Sequence, residues 1–217
     1  MSSPKFYSPL EEKFNIYSHG LGIILSLIAL FLLSTHQLIE GSLLYKISFI
    51  VFGVSLVMLY SASTLYHSAT TPELRQRRRI LDHASIYVLI AGTYTPFCLI
   101  TLGNETGRNI FIISWLMAIA GIILKIFFTG RFRLLSTLLY VFMGWMIIFA
   151  ISDLSIKLSA EGMFWLVAGG LAYSVGAILY SIKRIPLNHA LFHVFVLIGS
   201  ACHFMSVYFY VLPIKVV

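Results

Sequence analysis

The chain has 217 residues and a formal net charge of +7, yet only 11% of its residues are charged and 59% are hydrophobic. With a mean hydropathy of +0.92, against about 25% charged residues in an ordinary soluble domain, this composition excludes a soluble globular class and points to lipid. No polar stretch is long enough to fold alone, so residues 1–217 read as a single membrane domain. Cys98 and Cys202 both fall in apolar segments, which argues against a disulfide framework.

Seven apolar segments follow in chain order, at 17–37, 46–67, 82–102, 109–128, 134–152, 162–182 and 189–211. Each is close to the roughly 20 residues that cross a bilayer as a helix. The polar first fifteen residues, with Glu11 and Glu12, do not read as a cleavable signal peptide. Segment one opens on His19 and carries His36 near its far end. Segment two closes on Ser63 and His67, and segment three opens on Asp82. Segments six and seven hold small residues (Gly169, Gly170, Gly176, Gly199) suited to close helix packing. Segment seven opens on His189 and His193. The fold class expected is all-α: a polytopic membrane protein, a seven-transmembrane-helix bundle, because the apolar runs are too long and continuous for barrel strands.

Basic residues predict the orientation. With a cytoplasmic N-terminus, eleven fall inside (Lys5, Lys13, Arg75, Arg77, Arg78, Arg79, Lys125, Arg131, Arg133, Lys183, Arg184) and four outside (Lys46, Arg108, Lys157, Lys215). The positive charge therefore reads as a topology signal rather than a nucleic-acid surface. A multi-pass protein of a bacterial inner membrane is the expectation.

Antiparallel spans bring His67, Asp82, His189 and His193 to one membrane face, the cytoplasmic one in this orientation. His189 and His193 share a helix face at a spacing of four, so both rings can reach one ion. Such a pair can equally be two hydrogen-bonded core residues; His67 at the same depth turns it into three imidazoles, the pattern of a zinc site with one open position. Asp82 is the one acidic residue at the rim of a span, and it is expected to point inward, where it can hold or deprotonate a metal-bound water. Its alternative role is as a helix N-terminal acid or a partner of Arg77, Arg78 or Arg79. Ser63 lies one turn before His67 on the same face. Glu12, Asn15 and His19 have helical spacing, and either support the metal site from below or form an amphipathic entry helix. His203 is ten residues beyond His193, about 15 Å deeper at the helical rise, and cannot share its ion.

The segments EEKFNIYSHG (11–20), SASTLYH (61–67), LDHASIYVLIAGTYTPF (81–97) and RIPLNHALFH (184–193) resemble those of bacterial haemolysin III proteins. These belong with the progestin and adiponectin receptors, in a superfamily that includes alkaline ceramidases. The resemblance implies zinc (Zn2+) held by His67, His189 and His193, with Asp82 contacting its water and Ser63 assisting. It departs from the animal receptors in lacking their long N-terminal region, so their hormone recognition is not carried over. The function expected is zinc-dependent hydrolysis of lipid amides or esters, ceramidase-like, in membrane lipid homeostasis, with membrane lipids as partners and an acyl lipid as substrate. The alternative is a non-enzymatic zinc-containing sensor of membrane state. The family name implies a lytic pore, but a compact polytopic bundle offers no obvious soluble-to-pore transition.

Overall fold

The computed structural model describes residues 5–36, 42–129 and 133–211, without the side chains of 133 and 134. Of the residues invoked for topology, Arg131, Lys215 and the side chain of Arg133 lie outside the described set. Eight α-helices form seven spans: α1 (Pro9–Ser34), α2 (Leu43–His67), α3 (Pro72–Pro96), α4 (Glu105–Phe128), α5 (Arg133–Trp145) continued by α6 (Ile151–Lys157), α7 (Ala160–Ser181) and α8 (Asn188–Tyr210). Seven helical stretches are long and apolar enough to cross a membrane. The chain is a multi-pass membrane protein built as a helical bundle.

Side-chain oxygens cap most of the helix starts. Ser8, Ser42, Thr71, Asn104 and Ser159 accept the otherwise unpaired N–H groups of Glu11, Tyr45, Leu74, Gly107 and Gly162. Pro9 and Pro72 sit in the first turn of their helices, where no N–H is needed. These caps start α1 and α3 well before the apolar segments begin, at 9 rather than 17 and at 72 rather than 82. Charged first turns therefore stand at the end of the bundle that holds the histidines, and Glu12 and Arg75 are helical residues.

The packing inverts the pattern of a soluble protein. On α1 the buried residues are Glu11, Asn15, His19, Gly22, Ser26, Ala29 and Leu33, while Leu21, Ile24, Leu25, Ile28 and Phe31 face outward. A polar and small stripe turned inward with an apolar face outward is what lipid demands. On α7, Gly162, Gly169 and Gly176 are likewise buried, and α8 packs along them.

The fifth span is broken where an unbroken helix over 134–152 is expected. Residues Met146–Ala150 tighten into a 3₁₀ turn between α5 and α6. Tyr94 on α3 causes it: its hydroxyl reaches the carbonyls of Met143 and Gly144, both at 2.8 Å, and accepts the N–H of Ile147 at 3.1 Å. A side chain inserted in the helix ladder breaks it there. A second irregularity follows Pro96, where residues Phe97–Leu102 form a π-helical turn ended by Gly103 in the left-handed conformation, φ 56°.

Candidate metal centre

Helices α2 and α8 bring His67, His189 and His193 together, and the ligand atoms of the three lie within 4.8 Å of one another. His189 Nε2 is 3.1 Å from His67 Nε2 and 3.2 Å from His193 Nε2. His67, His189 and His193 are 3, 9 and 2% exposed respectively. Leu187, just before α8, is held at φ 54°, a strained conformation for a branched side chain that sets where the helix carrying His189 begins.

The other ring nitrogens decide what these contacts mean. His67 Nδ1 is 2.8 Å from Glu12 Oε2, and His193 Nδ1 is 3.3 Å from the carbonyl oxygen of Asn15. A carboxylate and a carbonyl only accept, so both Nδ1 atoms carry protons, and in the neutral rings Nε2 presents a lone pair. Two lone pairs thus converge on His189 Nε2. Zinc–nitrogen bonds of about 2.0–2.1 Å at tetrahedral angles put ligand nitrogens about 3.3–3.4 Å apart. The chemistry and spacing of the three nitrogens therefore fit a divalent cation, and the group can hold a metal ion.

The surroundings fix these rings in place. His19 stacks on His193 with ring centroids 3.6 Å apart and planes 11° off parallel, and it meets the Tyr60 ring in a T-shaped contact at 5.0 Å. Among the described residues, both His19 nitrogens are buried without a hydrogen-bond partner. Asn15 Nδ2 lies 3.3 Å from His67 Nδ1; with that nitrogen's proton given to Glu12, this is a packing contact and not a hydrogen bond. The three α1 residues singled out for support, Glu12, Asn15 and His19, all touch the triad.

Asp82 and Ser63 stand differently. Among the described residues no hydrogen bond joins either to the triad. Asp82 Oδ2 is 3.2 Å from His83 Nδ1, so the His83 ring folds back along α3 toward its neighbour's carboxylate. A longer-range electrostatic interaction also links Asp82 to His67 and His193. Ser63 is buried on α2 at 2% exposure, one turn from His67.

Two contributors were not evident in the sequence. Tyr7 stacks on His189 at 4.5 Å and 10°; burial, with Tyr180 and Tyr66 nearby, pushes its phenol well above the usual range, so it stays neutral. Arg75, 1% exposed, pairs with Glu12. In the sequence Tyr7 precedes the first apolar segment, and Arg75 is one of four closely spaced arginines that read only as topology. Arg75 and Arg79, four apart on one face of α3, are both buried, at 1 and 5% exposure, and that spacing is the signal that could have marked them.

A profile of the family described as Haemolysin-III related matches residues 7–204. The chain belongs to the haemolysin III family. Among the relatives, the Hemolysin-3 of Bacillus cereus is 50% identical over 203 residues, covering 94% of this chain and 93% of its own. The Hemolysin-3 homolog of Bacillus subtilis (strain 168) is 48% identical over 200 residues, covering 92% and 94%. The human Monocyte to macrophage differentiation factor is 25% identical over 206 residues, covering 92% and 84%; this distant match supports placing haemolysin III proteins with the progestin and adiponectin receptors. The matched span takes in all three histidines of the triad.

Proposed function

We propose that this haemolysin III protein is a zinc-dependent hydrolase of lipid amides or esters, ceramidase-like, acting in membrane lipid homeostasis. It resides in a bacterial inner membrane with its N-terminus and metal centre toward the cytoplasm. The observation that carries this reading is the convergence of the Nε2 atoms of His67, His189 and His193, two with lone pairs fixed by acceptors behind them. Zinc held by three neutral imidazoles brings the pKa of a bound water down to about 7.

The remaining roles belong to the chain. Asp82, which interacts electrostatically with His67 and His193, is assigned the role of taking a proton from water as it attacks a carbonyl carbon and returning it to the leaving amine or alcohol. Ser63 supplies a hydroxyl one turn from His67 to steady the developing oxyanion. Glu12 and Asn15 keep two imidazoles in the required tautomer. The substrate class this reading implies is an acyl lipid whose scissile bond lies just below the headgroup. The test is hydrolysis of acyl-lipid amides and esters by zinc-loaded protein beside Asp82→Asn; release of fatty acid by the wild type alone supports the reading, and no release from any acyl lipid counts against it.

One observation favours a second reading. The triad is buried and covered by the Tyr7 ring on its His189 side, as in a centre that ties helices together. In that reading the protein is a non-enzymatic zinc-containing sensor of membrane state, with α2 and α8 joined through the metal.

A further inference from the structure

We infer that Arg75 is a positioning residue of the metal centre, holding Glu12 so that His67 keeps its proton on Nδ1 and turns its Nε2 lone pair to the ion. This rests on the metal reading of the triad. The guanidinium sits between the rings of Phe6 and Tyr66, 4.5 Å from each centroid. Its Nη2 pairs with Glu12 Oε1. Nη1 donates to the carbonyls of Tyr66 at 3.4 Å and of His67 itself at 3.2 Å, and Nε donates to the carbonyl of Lys5 at 3.0 Å. One side chain therefore grips the carboxylate behind His67, the backbone of His67 and the segment leading into α1.

Glu12 is set by two contacts on the oxygen that faces away from His67: Oε1 meets Arg75 and accepts the Tyr7 N–H at 2.9 Å. Oε2 is left to accept from His67 Nδ1. A carboxylate with one oxygen committed to a planar, fully buried guanidinium cannot swing away, whereas an exposed pair would hold it only weakly. The same contacts carry Tyr7 onto His189, so Arg75 reaches two of the three imidazoles without touching a ligand atom.

A merely structural role can be separated from this one. Arg78 also holds the end of α2, donating to the Leu65 carbonyl at 2.8 Å and to Ser68 Oγ at 3.3 Å. It therefore serves as the control for loss of an arginine at the end of α2.

Zinc affinity is measured by competition with a chromogenic chelator for wild type, Arg75→Gln, Glu12→Gln, the double variant and Arg78→Gln. The tautomer of His67 is read in zinc-free protein by NMR of ¹⁵N-labelled histidine. Arg75→Gln and Glu12→Gln are each expected to weaken zinc binding about 10–100-fold. The double variant is expected to be no weaker than the worse single one, and Arg78→Gln to match wild type. The His67 signal should change from a Nδ1–H form to a mixture in Arg75→Gln. Equal losses in Arg75→Gln and Arg78→Gln, additive losses in the double variant, or an unchanged tautomer overturn the inference. If wild type takes no zinc, the metal reading falls, and the zinc-free spectra still decide whether Arg75 sets the tautomer. Arg75→Lys, which keeps the buried charge but not the fork, serves in the same measurements if Arg75→Gln does not fold.

Discussion

Two glycines on α1, two residues apart, should respond to alanine with opposite signs. A Cβ at Gly22 would lie 2.4, 2.7 and 2.7 Å from Cδ1, Cε1 and Cγ of Tyr60, whereas at Gly20 it would meet nothing within 4 Å. Ordinary carbon contacts begin near about 3.5 Å, so Gly22→Ala forces the Tyr60 ring back by about 1 Å. Tyr60 is 2% exposed and its ring cannot retreat freely; its hydroxyl bonds Ser200 at 2.7 Å, and it makes a T-shaped contact with the His19 ring. Overpacking of this kind costs about 1–3 kcal/mol. Gly20→Ala only gains helix propensity, up to about 1 kcal/mol. Unfolding in mixed micelles with rising SDS should show Gly22→Ala less stable than wild type and Gly20→Ala as stable or more so. Because His19 stacks on His193, Gly22→Ala should also weaken zinc binding. Equal stability of the two variants would refute the packing of α1 against α2 on which the site rests.

His193→Ala should weaken zinc binding by roughly 10²–10³-fold, taking about 10–16 kcal/mol for a zinc centre shared over four ligands; His203→Ala should leave it unchanged, since that ring bonds the Leu166 carbonyl. Chelator competition checks both. Asp82→Asn should keep most of the zinc and lose hydrolysis by about 10²–10⁴-fold, the usual worth of a proton-transferring group; equal loss of metal would move Asp82 among the ligands. Tyr94→Phe strips the hydroxyl from the break in the fifth span and should cost about 1–3 kcal/mol in the same micelle titration.

The seven spans were legible because lipid leaves a strong signal: long uncharged runs separated by short polar loops. The triad was legible too, since depth and a spacing of four confined His67, His189 and His193 to one place, and helical spacing marked Glu12, Asn15 and His19. What was not legible depended on contacts between distant segments. Nothing in the sequence around Tyr94 says that its hydroxyl will open the ladder of a helix some fifty residues on. Arg75 looks like its neighbours Arg77 and Arg78 until Glu12 and the Lys5 carbonyl meet its guanidinium. The early starts of α1 and α3 were hidden because hydropathy registers lipid contact and not helix length, and the caps Ser8 and Thr71 lie outside the apolar runs.

The metal content of the purified protein, by elemental mass spectrometry beside a His189→Ala/His193→Ala double variant, tests the central claim most directly. The account predicts about one zinc per chain in the wild type and none in the variant, as three convergent imidazoles require. A wild type that stays metal-free after zinc is supplied, or a double variant that retains it, would contradict the account.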